Sequence, residues 1–148
     1  MPSHKPPEVE QPGMRTTEPS ARQLQEISNA ELDESFDMIN LIKYRAVAIY
    51  ESESENLKGR TGLEAYSEYT KVAFPKIIEL GGSLAYRGSC DHQFVGDDSQ
   101  DYDELIVVRY PSRRAYLGMF NSPEYQAAIM HRKAGLEFRV LHESTPQL

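Results

Sequence analysis

Two histidines, four polar strand residues and a large set of tyrosines carry the chemistry of this 148-residue chain. Asn40, Lys43, Arg45 and Arg109 stand within or at the end of apolar, β-favourable runs. An amide or a cation in that setting can hold a carboxylate, phenolate or enolate oxygen and stabilise negative charge that develops there. His92 and His131 are the candidate acid–base groups, because an imidazole can serve as acid or base near neutral pH. Tyr44 and Tyr110 combine an aromatic body with a polar tip, which suits a pocket wall or an interface. Arg113 falls near a helix start, where a cation serves an anionic ligand better than it serves the helix. The expected catalytic set is His92, Arg109 and His131. The expected substrate-binding set is Asn40, Lys43, Tyr44, Tyr110 and Arg113.

Other groups read as structural. Tyr66 and Tyr125 fit ordinary half-buried packing, and Arg132 fits a tie between helices. Cys90 is the single cysteine, so no internal disulfide framework is expected. On a strand, Cys90 and His92 would share a face about 7 Å apart, whereas a nucleophile and its base need about 3 Å. The histidines lack close ligand spacing and no Cys-His motif is present, so no metal site is expected. The acidic run Asp97, Asp98, Asp101, Asp103 and Glu104 lacks the mid-loop glycine and closing glutamate of a calcium loop; it reads as a solvated hairpin turn. No cofactor is implied.

The elements that would position these residues follow from period and punctuation. Met38 to Val47 is a β-favourable run without Gly or Pro. Ile39, Leu41, Lys43 and Arg45 share one face of it, and Met38, Asn40, Ile42 and Tyr44 the other. Thr61-Gly62-Leu63-Glu64 fits a capping box, and Leu63, Tyr66, Ala73, Ile77 and Leu80 make a helical stripe behind it. Pro75 lies inside that stripe, where it removes one backbone bond, and Gly81-Gly82 stops the helix. Ser83 to Arg87 and Asp91 to Val95 read as strands. Leu105-Ile106-Val107-Val108 reads as a central strand ending at Pro111. Ser112 caps a helix with Tyr116, Met119 and Phe120 on its apolar face. Ser122 and Pro123 then start a fresh helix, which Gly135 ends before a last strand, Leu136 to Leu141. Ser20 could cap a short helix through Ala30 ahead of all this.

Composition sets the frame. Residues 1–19 are rich in proline and poor in apolar side chains, which predicts a disordered tail. Residues 20–37 are expected to be a short helix and linker, 38–143 the folded domain, and 144–148 a C-terminal tail. A net charge of −7 disfavours nucleic-acid binding, which needs clustered Lys and Arg. No run approaches the length of a membrane span, and no secretory signal is evident. The expectation is a cytoplasmic protein.

The order of elements predicts an α+β, ferredoxin-like β-α-β-β-α-β antiparallel sheet with two helices on one face. The other face needs a cover, and pairing two copies across a two-fold axis would provide one and enclose a pocket. In this order the chain resembles the dimeric α/β barrel family known as domain of unknown function 1330. The matching residues are Asn40-Leu41-Ile42-Lys43-Tyr44-Arg45, Gly62-Leu63-Glu64-Ala65-Tyr66, Gly81-Gly82, Arg109-Tyr110-Pro111-Ser112-Arg113, Ser122-Pro123-Glu124-Tyr125-Gln126 and His131-Arg132-Lys133-Ala134-Gly135-Leu136. The resemblance implies a homodimer. It implies no reaction, because the wider superfamily spans cofactor-independent monooxygenases, haem-handling enzymes, decarboxylases, isomerases and stress-response proteins. The functional expectation is a small-molecule pocket for a partly apolar carbonyl or phenolic compound. Turnover by proton transfer or cofactor-free oxygenation is one form of it, and a non-catalytic binding or stress-associated dimer is the alternative.

Overall fold

Alternation along the first apolar run gives a strand with two different faces. In the computed structural model, which describes residues 16–147, β1 (Phe36–Tyr44) sends Phe36, Met38 and Ile42 into the core. Asp37, Ile39, Leu41 and Lys43 lie on the opposite face, as period two requires. β2 (Ser83–Ser89), β3 (Glu104–Tyr110) and β4 (Leu136–Ser144) complete one antiparallel sheet in the order β2-β3-β1-β4. This is the ferredoxin-like arrangement.

The helices form where the sequence supplies caps. α1 (Ala21–Asn29) begins at a capping box between Ser20 and Gln23, and Ile27 anchors it in the core. A short α2 (Glu53–Asn56) occupies the polar stretch after β1. α3 (Gly62–Glu79) starts at the expected Thr61–Glu64 box and continues through Pro75. Gly81 takes φ +93°, a conformation that L side chains rarely adopt. α4 (Arg113–Phe120) and α5 (Pro123–Gly135) are capped by Ser112 and Ser122. Together α3, α4 and α5 bury Tyr66, Ala73, Ile77, Met119, Tyr125 and Ala128 against Met38, Ile42, Ile106 and Val108.

Two expectations change. Asp91–Val95 is not a strand: Gly96 and the Asp97 side chain, which accepts from the Ser99 amide, turn the chain back after it. Its apolar pair, Phe94 and Val95, is 91% and 85% exposed. Gly135 ends α5 as expected, and it also lets helices meet. A Cβ at Gly135 would lie 2.5 Å from the Gly62 carbonyl oxygen. Finally, β1 begins at Phe36 and β4 runs to Ser144, beyond the expected domain edges.

The expected disordered tail falls largely on residues 1–15, outside the described residues. The next residues attach to the edge strand: the Arg139 amide donates to the Thr16 carbonyl at 3.0 Å. Arg139 Nε donates to the Thr17 carbonyl at 2.5 Å.

Candidate functional site

A cleft opens between the sheet and the helices, on the face that carries Met38 and Asn40. It is narrow: about 30 Å3 of it admits the centre of a water molecule. Tyr66, Tyr69, Tyr110, Tyr116 and Tyr125 form most of its wall, with Asn40 and Arg139 as further polar groups. The rings interlock: Tyr110 meets Tyr116 edge-on at 5.1 Å, and Tyr69 meets Tyr125 likewise at 5.7 Å. Such contacts hold aromatic walls in place more firmly than area burial alone.

Behind the Tyr69 and Tyr125 hydroxyls, at the polar end of the cleft, lies Arg132, whose side chain is 1% exposed. Its Nη1 donates to the Tyr125 hydroxyl at 2.9 Å and to that of Tyr69 at 3.5 Å. The two hydroxyl oxygens are 2.6 Å apart. Its Nη2 donates to Glu18 Oε1 at 2.9 Å. Burial disfavours the guanidinium charge, but the oxygens of Tyr69, Tyr125 and Glu18 outweigh it and hold the group charged. Burial also pushes the Tyr125 phenol far up, more than Arg132 lowers it, so it stays protonated near neutrality. The result is a pair of phenol hydroxyls at the aromatic wall, each tied to a buried guanidinium. Donors so placed can bind and polarise a carbonyl or an oxygen anion.

The expected site residues divide between the two sheet faces. Asn40 and Tyr110 line the cleft. Asn40 Nδ2 donates to the Met38 and Ile106 carbonyls, both at 3.2 Å, so Asn40 offers the cleft an acceptor rather than the expected donor. Tyr44 lies beside it, its ring 5.6 Å from Tyr66 and its hydroxyl bonded to Glu104; burial raises its pKa. Arg109 is on the opposite face, directly across from Asp37, and forks onto its carboxylate at 2.7 and 2.9 Å. Asn40 and Arg109 therefore cannot grip one oxygen within a chain, contrary to expectation. Lys43 is ion-paired to Asp101 at 3.4 Å and Asp103 at 3.2 Å. Arg113 lies over the Phe36 ring at 4.6 Å and bonds Glu143.

Neither histidine reaches the cleft. His92 is exposed in the loop after β2. His131 Nδ1 is 2.6 Å from the Tyr50 hydroxyl, in a separate cluster with Arg60 and Glu55. Burial, then the Arg60 charge, hold His131 below its ordinary 6.5. Cys90 is exposed. Among the described residues, no group of three or more His, Cys, Asp or Glu is arranged to hold a metal. No described helix is long and apolar enough to cross a membrane.

Sequence reasoning undervalued Arg132, Arg139 and Tyr69, and missed Glu18. Arg132 had a signal: it follows Tyr125, Ala128 and Ile129 at helical spacing, so it shares their buried face. Glu18 had none, since its contact with Arg132 spans 114 residues.

A ferredoxin-like α+β sheet with a tyrosine cleft under its helices is thus the class of protein that fold and site define. The chain belongs to the family described as domain of unknown function (DUF1330), whose pattern matches residues 60–142. RPA0582, a protein of unknown function from Rhodopseudomonas palustris, superposes with a TM-score of 0.82 at 25% identity, covering 91% of this chain and 99% of that one. Its methylated form gives 0.83 at 26% identity, covering 91% and 98%. A hydroxynitrile lyase from Passiflora edulis gives 0.50 at 12% identity, covering 78% and 95%, a likeness of fold alone. No curated protein matches.

Proposed function

We propose that the protein is a homodimer whose clefts each bind a small, partly apolar molecule carrying a carbonyl or an oxygen anion. The observation that supports this reading best is the joining of an aromatic wall to buried, charged Arg132 and the Tyr69 and Tyr125 hydroxyls. Ligand pockets combine those ingredients, apolar lining with a few convergent polar groups.

The dimer draws support from the other sheet face. Ile39, Leu41, Leu105, Val107 and Val140 are half-buried there and join neither core cluster. A second copy would cover them by packing sheet on sheet. Light scattering at micromolar concentration tests this; the expected mass is twice the 16.8 kDa of one chain, and a monomer would refute it.

Turnover by proton transfer or cofactor-free oxygenation is the finer proposal. The paired phenols on Arg132 favour it, as proton donors to a developing oxyanion. The rival is a binding protein without turnover, favoured by His92 and His131 lying away from the cleft. A titration of small aromatic carbonyls and phenols, followed by tyrosine fluorescence, tests binding. Tyr125→Phe should weaken it, and a panel without any quenching would refute the pocket.

A further inference from the structure

We propose that the polar end of the cleft is a carboxylate site, and that Glu18 is its built-in occupant. An incoming aromatic or similarly flat carboxylate would take over Arg132 and Arg139 by displacing residues 16–18. The inference rests on the cleft being the ligand site, and it adds the ligand's charge and the means of access.

The reasoning begins with charge. A guanidinium as buried as Arg132 needs an anion or a full set of acceptors. Among the described residues, the carboxylate that reaches it is Glu18, from a segment before the first strand. The helices and sheet thus build a cationic recess, and a short strap from outside them fills it.

The fit is incomplete. Arg132 Nε and Glu18 Oε2 are both buried without a hydrogen-bond partner. Oε2 is 4.0 Å from Arg139 Nη2, too far for a good bond. Glu18 uses one oxygen well and wastes the other. A carboxylate free of the chain could turn to meet the guanidinium fork with both oxygens, the stronger geometry. Its apolar body would take the room that residues 16–18 vacate, beside Tyr69 and Tyr125, whose hydroxyls Arg132 bonds.

The strap is built to leave. Besides the Glu18 carboxylate, it is held by the Arg139 amide and Nε on the Thr16 and Thr17 carbonyls. The Glu18 side chain remains 31% exposed. Behind it the Ser20 capping box closes α1, and Ile27 keeps that helix docked. Release of residues 16–18 therefore leaves the core in place.

Calorimetric titration of benzoate, and of benzamide as its neutral isostere, into the full chain and into Glu18→Gln tests this. Benzoate should bind Glu18→Gln at least about tenfold tighter than the unaltered chain, because an internal competitor divides affinity by the open fraction, while benzamide should change by less than about twofold. In the unaltered chain, the Arg139 backbone amide should lose exchange protection when benzoate binds. Equal or weaker benzoate binding by Glu18→Gln would overturn the strap, as would binding with Arg139 protection unchanged; both outcomes leave the pocket standing. Failure of both ligands to bind either folded protein would remove pocket and strap together. Should Glu18→Gln not fold, the Arg139 amide measurement on the unaltered chain decides.

Discussion

The two faces of one sheet do opposite work with alternate residues of the same strands. Beneath the helices, Met38, Asn40, Ile106 and Tyr110 join four further tyrosines in a cleft, with buried Arg132 behind two of them. On the reverse face, Ile39, Leu41, Leu105 and Val107 form an apolar field, with Arg109–Asp37 and Lys43 with Asp101 and Asp103 as its ion pairs. Cations occur on both faces, but their partners differ. Arg109 is saturated by a neighbouring strand residue. Arg132 is matched by phenols and by a carboxylate from a distant segment. A cation already forked onto its own sheet is poor at binding ligand, whereas one whose counter-ion is detachable can exchange it.

Replacing Arg132 gives the largest expected effect. Arg132→Ala leaves Glu18 and two phenols without their partner, and should lower unfolding free energy by about 3–5 kcal/mol in urea titration. A loss under about 1 kcal/mol, the value of an exposed pair, would erase the distinction between the faces. Next, Val107→Glu should leave the fold intact, give a monomer in light scattering, and preserve ligand affinity in the cleft. Loss of ligand affinity with the dimer retained would reverse the assignment of the faces.

The smallest effect concerns Asp37. The Arg109 hydrogen bonds hold its carboxyl below the ordinary 3.8, against the opposing effect of burial. A carboxyl depressed on folding adds stability that is complete above 3.8 and fades as pH falls through the lowered folded value. Asp37→Asn should therefore flatten the acid limb of the stability curve below pH 4 and leave ligand affinity unchanged. An unaltered acid limb would show that this pair contributes nothing to folding.

Much of this division was legible in the sequence. Period two assigned the β1 faces correctly, and the Thr61, Ser112 and Ser122 caps marked helix starts because capping is a local interaction. The false strand at Asp91–Val95 shows the limit: a short apolar run needs a pairing partner, which composition does not reveal. The site was harder still. Arg109 looked available because its match to Asp37 depends on β1–β3 register. Arg132 read as a tie between helices, and only its phase with Tyr125 marks it as buried beside the cleft. Glu18 depends on a long-range contact with no local signature.

The central claim is that ligand chemistry belongs to the cleft face. Backbone amide shifts during a benzoate titration test it most directly. Perturbations should concentrate at Tyr69, Tyr125, Arg132 and Arg139, with Val107 and Arg109 nearly still. Perturbations centred on Arg109 and His92, with the tyrosine cleft unmoved, would contradict it.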